Sequence, residues 1–468
     1  MPETITVVGG GIAGIAAACA LSGAGYGVHL VERRPYLGGR ASSYEHPGTG
    51  EIIDNCQHVL IGRCTSLIDL YRRLGAVGSI RWYDRFTFLT PEGPPSVIEP
   101  GRLPAPFHST AAFLRAPAFS LRDKLAIARG LAAFLPGLPP DSEEDFLHWL
   151  RRHGQTERAI DRFWKPVLVS ALNEDLDRIS VHYAAKVFRE SFLLSPQSGR
   201  MGIPAVPLSE LYNRAIDYIR QRGGEVFLRT SVDAVASSGH GWLTTVTSGG
   251  ESRQVASDAV ILALSFEGMA SLLPSLPPNP AAQDLADHLA RFEHSPITGI
   301  HLWFDREVTD LDHAVLLDTT IQWMFNKSGL QPTHRTSEGS YLELVVSASR
   351  SLVSMQRQSI IDLALSELAR FFPAVRAATL LKAAVVKEVR ATYSIRPQLD
   401  TLRPSAISPW PGVFLSGDWT ATGWPATMEG AARSGFLAAE ALTRSLGEPH
   451  SFVAPELAPS GLMRLLGR

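Results

Sequence analysis

Short apolar runs, each broken by a glycine turn and followed by a helix-like stretch, recur at three places in the chain. Ile5-Thr6-Val7-Val8 and Val28-His29-Leu30-Val31 read as buried strands, and the alanine-rich stretch from Ile12 to about Leu21 between them reads as a helix. From Pro207 to Arg222, Leu208, Leu211, Ile216 and Ile219 fall on one helical face, and Gly223-Gly224 then leads into the strand Glu225-Val226-Phe227-Leu228. Ser231 to Val235, a polar hairpin and the fully apolar run Ala259-Val260-Ile261-Leu262-Ala263-Leu264 complete that segment. Near the C-terminus, a strand over 412–416 ends in Gly417-Asp418, and a small-residue helix runs from about Met428 to Ser445. Strands apolar on both faces belong to parallel sheets covered by helices. The pattern therefore predicts an α/β fold in which 1–60, 207–265 and 396–447 build one discontinuous Rossmann-like domain.

The intervening segments, 61–206 and 266–395, are left for a second, interleaved α+β domain with a helical lid, and 448–468 for a C-terminal tail. Within the lid, prolines punctuate Leu103 to Phe107 and Phe134 to Pro140. Between them an apolar helix from Leu121 to Leu135 carries the nearby cations Arg115, Arg122, Lys124 and Arg129. Apolar residues beside long basic side chains suit a segment lying on a membrane surface, and they equally suit an ordinary amphipathic packing helix.

Chemistry enters with the first glycine turn. Gly9-Gly10-Gly11-Ile12-Ala13-Gly14 directly follows a strand, and Glu32 stands 18 residues past Gly14 at the end of the next one. Gly9 permits the tight turn, Gly11 admits a pyrophosphate against the backbone, and Gly14 lets the helix lie close on the sheet. The helix N-terminus at Ile12 and Ala13 favours phosphate, and Glu32 suits the adenosine ribose hydroxyls. These features together are a dinucleotide fingerprint. Glu32 is followed by the basic, glycine-rich loop Arg33-Arg34-Pro35-Tyr36-Leu37-Gly38-Gly39-Arg40, long enough to wrap a cofactor larger than a nicotinamide dinucleotide.

Composition narrows the alternatives. A formal net charge of −2 gives no electrostatic footprint for nucleic acid. Three cysteines, Cys19, Cys56 and Cys64, form neither a disulfide framework nor a paired zinc pattern, so a reducing cytoplasm is expected. Cys56 and His58 lack a second ligand pair at zinc spacing, and no metal is expected. The first strand begins almost at residue 1, so no signal peptide is expected, and no apolar run is long enough to span a bilayer. Any membrane contact is expected to be peripheral, on the inner face of the cell membrane.

The acid, five-residue gap and Gly-Gly-Arg from Glu32 to Arg40 resembles the flavoprotein superfamily of amine oxidases and phytoene desaturases. That resemblance implies FAD bound by a Rossmann-like domain of the glutathione reductase type. It implies contacts from Arg33, Gly38, Gly39 and Arg40 near the pyrophosphate or ribityl chain, and from the backbone of Val232 at the adenine edge unless Val232 is only a core residue. Gly417 and Asp418 would meet the ribityl and pyrophosphate groups, while Thr427 and Met428, opening the last helix, would face the N1/C2 carbonyl side of the flavin. Many members carry Asp-x-Gly where this chain has Asp54-Asn55-Cys56-Gln57-His58. With Gly417-Asp418-Trp419-Thr420 and Gly423-Trp424-Pro425-Ala426-Thr427-Met428-Glu429-Gly430-Ala431, that motif looks like the squalene-associated branch, the hydroxysqualene dehydroxylases of bacterial hopanoid synthesis.

The branch implies a reductive dehydroxylation on an apolar isoprenoid, with FAD reduced by an unidentified electron donor. Hydroxide is a poor leaving group and needs an acid. His58 is the first candidate, because imidazole titrates near neutrality, although a histidine bonding a loop carbonyl fits as well. Asp54 is expected to hold His58 or the flavin, and Glu429 is a weaker acid candidate with a ready use as a helix N-terminal charge partner. Trp419 and Trp424 are expected either to wall the flavin or to pack in the core. Carotenoid desaturation is the nearest rival, since Met428-Glu429-Gly430-Ala431 is similar to phytoene desaturases. Amine oxidation and non-catalytic prenyl-lipid binding are further ones.

Overall fold

The computed structural model describes residues 3–91, 93–334 and 339–466. Its centre is a five-stranded parallel sheet in the order Glu225–Phe227, Gly27–Val31, Thr4–Val8, Ala259–Ala263 and Val413–Ser416. Ile5 lies opposite both Val28 and Ala259, which fixes the register at the middle of the sheet. The α/β architecture with a Rossmann-like parallel sheet is thus the one expected, assembled from three separated stretches of chain.

Helices seal both faces of this sheet. Eleven of the twelve residues of helix Ile12–Gly23 are buried, so its small side chains serve close packing rather than amphipathicity. The last long helix, Met428–Ser445, crosses it at a point where a Cβ on Gly435 would lie 2.1 Å from the Ala13 carbonyl oxygen. Only glycine permits that approach. The helix predicted from Pro207 runs over Leu208–Arg220 and buries Leu208, Leu211, Tyr212, Ala215 and Ile219. An antiparallel sheet of Thr230–Ser238, Gly241–Ser248 and Glu251–Ser257 forms the predicted polar hairpin and its third strand.

A second, seven-stranded sheet has the order Leu380–Tyr393, His294–Phe304, Ser340–Ser347, Trp323–Asn326, His313–Leu316, Phe86–Leu89 and Ser96–Ile98. Neighbours are antiparallel except His313–Leu316 with Phe86–Leu89. One face carries Ile300, Leu302, Leu342 and Leu344 onto Ile360, Ala364 and Leu368 of helix Arg357–Phe371. The opposite face carries His301, Glu343 and Phe325 in one cross-strand row. Strand alternation makes this division, because successive side chains leave opposite faces.

The remaining helices gather around an aromatic core in which Phe146 and Trp149 stack with ring centroids 5.3 Å apart and Trp164 meets Phe188 edge-on at 4.6 Å. The expected lid helix runs over Leu121–Ala132, three residues shorter than its apolar pattern. Its start is a capping box: Ser120 accepts the Asp123 amide while Asp123 accepts that of Ser120. Among the described residues no helix is long and apolar enough to cross a membrane.

Candidate active site

The turn after the first strand is packed tightly everywhere except at one glycine. Gly9 holds φ at +105°, and a Cβ there would lie 2.3 Å from the Ala263 carbonyl oxygen; a Cβ on Gly14 would lie 1.8 Å from the Gly9 carbonyl oxygen. Gly11 differs, because the nearest atom to its Cβ would be Gly39 Cα at 4.0 Å. Open space therefore sits above the start of helix Ile12–Gly23, and no side chain caps that start. The uncapped amides from Ile12 onward offer an anion site, and the gap at Gly11 lets a pyrophosphate reach them.

Glu32 closes one side of this space. Its carboxylate accepts the Gly10 amide at 2.7 Å and the Arg34 amide at 2.8 Å, and the residue is buried. Gly38 bridges to Gly11 and donates its amide to the Gly10 carbonyl, so the predicted loop folds back over the fingerprint. Arg34 braces that fold by donating to the Gly39 carbonyl at 2.6 Å, whereas Arg33, the one named from sequence, is exposed. Val232 lies at a bulge in strand Thr230–Ser238, two residues after Thr230, whose amide donates to the Glu32 carbonyl.

Arg40 spans the two large layers. Its guanidinium donates to Asp418 at 2.7 Å and to the Ala391 carbonyl at 2.9 Å, joining the end of the parallel sheet to the edge strand of the seven-stranded one. Asp418 is itself presented by Arg403, a buried residue that the sequence reading did not single out. Arg403 donates to the carbonyls of Asp418, Trp419 and Thr420 and to the hydroxyls of Tyr183 and Thr422, and pairs with Asp400. Gly417 donates its amide to Ser434, and Thr427 caps the last helix through the Gly430 amide. Met428 lies beside it and accepts from the Tyr212 hydroxyl. Trp419 is fully buried with its indole N–H on the Leu264 carbonyl, and Trp424 is buried beneath the Lys186 ammonium, so both pack in the core.

The Asp54–His58 motif lies against the polar row of the seven-stranded sheet. Asp54 was expected to hold His58 or the flavin; its hydrogen bonds in the structure go to other groups than His58. One oxygen accepts from Ser43 at 2.5 Å and from the Leu208 amide; the other accepts from Lys327 at 2.5 Å and from Gln331. Lys327, at the start of the short helical turn after strand Trp323–Asn326, also donates to Gln57 at 2.9 Å and lies 3.3 Å from Glu343. Burial pushes the Asp54 carboxyl up, but the ammonium and these hydrogen bonds outweigh it and hold the group below the usual carboxylate value. Glu343 receives less help, and burial drives it up to about 7. Across the strand pair, His301 hydrogen-bonds through Nδ1 to the Tyr341 hydroxyl, and burial first, then Lys327, drives it down to about 3.

His58 is fixed by its own loop. Its Nδ1 meets the Cys56 carbonyl at 2.6 Å, and because a carbonyl only accepts, Nδ1 carries the proton and Nε2 is left to exchange one. Burial holds the ring below its ordinary pKa. Three residues earlier, Asn55 donates to the Arg40 carbonyl and to Glu388, tying this loop to the arginine that faces Asp418.

Glu429 is an anchor. Its oxygens accept the amides of Ser66 and Leu67, so the charge partner expected at a helix N-terminus belongs to helix Thr65–Arg73 rather than to its own helix. Burial raises its pKa. Lys327 and Glu343, by contrast, were missed. The signal for Glu343 was a lone carboxylate in the otherwise apolar run Tyr341-Leu342-Glu343-Leu344-Val345-Val346, and for Lys327 a cation directly after Trp323-Met324-Phe325.

The chain as a whole is similar to known proteins. The family described as flavin containing amine oxidoreductase matches residues 12–443. A hydroxysqualene dehydroxylase of Rhodopseudomonas palustris is 29% identical over 94% of this chain and 98% of its own length. A 15-cis-phytoene desaturase of Synechococcus elongatus is 26% identical over 94% and 95%. The crystal structure of an oxidoreductase from Methanosarcina mazei superposes with a TM-score of 0.71 at 17% identity, covering 92% of this chain and 98% of that one. The chain belongs to the flavin containing amine oxidoreductase family, and its cofactor is FAD.

Proposed function

We propose that this oxidoreductase removes the hydroxyl group of hydroxysqualene, giving squalene and water. The observation that carries the reading is the Asp54-Asn55-Cys56-Gln57-His58 loop, whose histidine has its proton-bearing Nδ1 fixed and its Nε2 uncommitted. The likeness to the Rhodopseudomonas palustris enzyme along nearly its whole length supports it.

In this reading Gly11, the amides of Ile12 and Ala13, Glu32, Arg40 and Asp418 hold FAD, which the opening at Gly11 and the uncapped helix start fit. When bound and reduced, FAD supplies the hydride. His58, protonated at Nε2, gives its proton to the departing hydroxyl, so one C–O bond breaks, one C–H bond forms and water leaves. Its depressed pKa makes it a stronger acid when protonated, and the Cys56 carbonyl keeps Nε2 aimed away from the loop. The apolar cluster of Met201, Ile203, Phe325, Leu330 and Val345, beside the Glu343 row, offers the water-poor wall that a developing allylic cation needs. The lid residues 103–140 lie on a membrane surface and admit the isoprenoid from it.

Anaerobic photoreduction followed by hydroxysqualene tests the proposal. Flavin reoxidation with one squalene per flavin is expected, and His58→Ala is expected to slow that reoxidation about 100-fold or more. A reduced enzyme that ignores hydroxysqualene overturns it. The likeness to the Synechococcus elongatus desaturase favours a second reading, desaturation of phytoene, for which the oxidised enzyme would be reduced by phytoene instead.

A further inference from the structure

Fifteen large apolar side chains are exposed among the described residues, and eight of them fall in two short segments, 103–125 and 462–466. Scattered exposed leucines need no explanation, but more than half of them in two segments do. The two segments, more than 300 residues apart in sequence, are neighbours in space. Leu462 donates its amide to the Ala105 carbonyl at 2.9 Å, and Ser460 donates to that of Leu194. Met463, fully buried, packs with Ala105 and Leu194, and Leu135 closes over them just past the end of the lid helix. The final turn is thus pinned by its one buried residue and turns Leu462, Leu465 and Leu466 outward, Leu465 at 80% exposure. Through Ala105 they are tied to the stretch that carries the exposed Leu103 and Phe107, and through Leu135 to the end of the segment that begins with the exposed Leu121 and Leu125.

Exposed charge within these two segments has one sign. Between Pro100 and Pro140 the only acid is Asp123, buried and bonded to Ser120 and Thr156, while Arg102, Arg115, Arg122 and Arg129 are exposed. From Leu457 to Leu466 there is no acid, and Arg464 is exposed. The tail reaches this position under restraint. Arg63 donates to the Leu457 carbonyl and pairs with Glu456, which also meets Arg433 of the last long helix.

We propose that the C-terminal turn 462–466 is the second half of a bilayer-docking surface, completing the one begun by residues 103–125, and that the surface it takes is an anionic phospholipid bilayer. Exposed leucines supply insertion and the exposed arginines of the same segments supply charge complementarity, a pairing of signals that gives stable peripheral binding where either alone is marginal. The inference rests on the reading of the lid as membrane-facing and extends it to a segment the lid does not contain.

Sedimentation of the FAD-loaded full chain with phosphatidylcholine vesicles, with and without phosphatidylglycerol, tests it. Binding is expected to the anionic vesicles and to weaken as salt is raised. The double variant Leu465→Glu/Leu466→Glu is expected to bind about tenfold more weakly or worse, with unchanged flavin content and thermal midpoint, and Leu121→Glu/Leu125→Glu serves as the lid comparison. If the lid variant loses vesicles while the tail variant keeps them, the tail inference is overturned and the lid reading stands. If the intact chain ignores both vesicles, both fall. If instead the intact chain self-associates in solution and the tail variant is monomeric, the surface joins two copies and the inference is overturned.

Discussion

Lys327 donates to Asp54 at 2.5 Å across 273 residues of sequence, and both side chains are almost fully buried. The same ammonium holds Gln57, so a residue of the seven-stranded sheet region fixes both ends of the Asp54–Gln57 turn that precedes His58.

Removing that cation is expected to cost far more than a surface pair would. Lys327→Met leaves Asp54 and Glu343 facing each other in an apolar interior, and a loss of about 3–5 kcal/mol is expected in urea denaturation. Adding Asp54→Asn to Lys327→Met is expected to return part of it, because one uncompensated charge is gone. A double variant no better than the single one would show that Asp54 is stabilised by its other hydrogen bonds alone.

Glu343 gives the stability a pH dependence of definite sign. Its folded value of about 7 lies above the ordinary 4.5, so the folded state binds the extra proton in that interval. Its contribution is therefore full below about 4.5 and is lost as pH rises through about 7. Glu343→Gln is expected to gain on the wild type over the same window, by about 2–3 kcal/mol at pH 8 relative to pH 5. Denaturation midpoints of the two proteins at these two pH values make the measurement, and parallel behaviour would contradict the assignment.

The two inner glycines of the fingerprint are expected to fail differently. Gly14→Ala drives a Cβ into the Gly9 carbonyl and is expected to destabilise the apoprotein. Gly11→Ala meets nothing closer than 4.0 Å, so the apoprotein melting temperature should be unchanged while FAD affinity falls about tenfold or more. Calorimetric titration of apoprotein with FAD, alongside thermal melting, separates the two.

Arg403→Met is expected to loosen the Asp418–Thr422 loop and to weaken FAD binding about tenfold. Arg403→Lys should recover little of it, since a single ammonium cannot fork across several carbonyls at once. Equal FAD affinity in all three proteins would make Arg403 a support for the helical core only.

Glu429→Gln replaces one acceptor oxygen by an amide group facing a backbone N–H. A loss of about 1–3 kcal/mol in stability is expected, with turnover of the folded enzyme retained. A folded variant with no turnover would return Glu429 to the list of acids.

The cofactor half of the protein was readable because its constraints are local. Glycines at 9, 11 and 14 and an acid at 32 act through a few consecutive residues, and the strands around them are apolar on both faces. Even there the sequence pointed to Arg33, while Arg34 makes the brace, because two adjacent arginines in a turn differ only in the direction each leaves the backbone. The Asp54 cluster was less legible. Its members come from near residues 43, 208, 327 and 343, and a two-stranded pairing, a helix start and the seven-stranded sheet must all be in place to bring them together. A buried lysine has no periodic signature, and an ion pair between Asp54 and a residue so far along the chain leaves no local mark.

Arg40, one hand on Asp418 and the other on Ala391, rivets the two great layers together. For the isoprenoid proposed above, layers fastened there are expected to resist opening like a clamshell. On that reading the cargo is expected to be threaded end-on, so that chain length and a bulky terminus govern the speed of loading more than they govern the chemistry that follows.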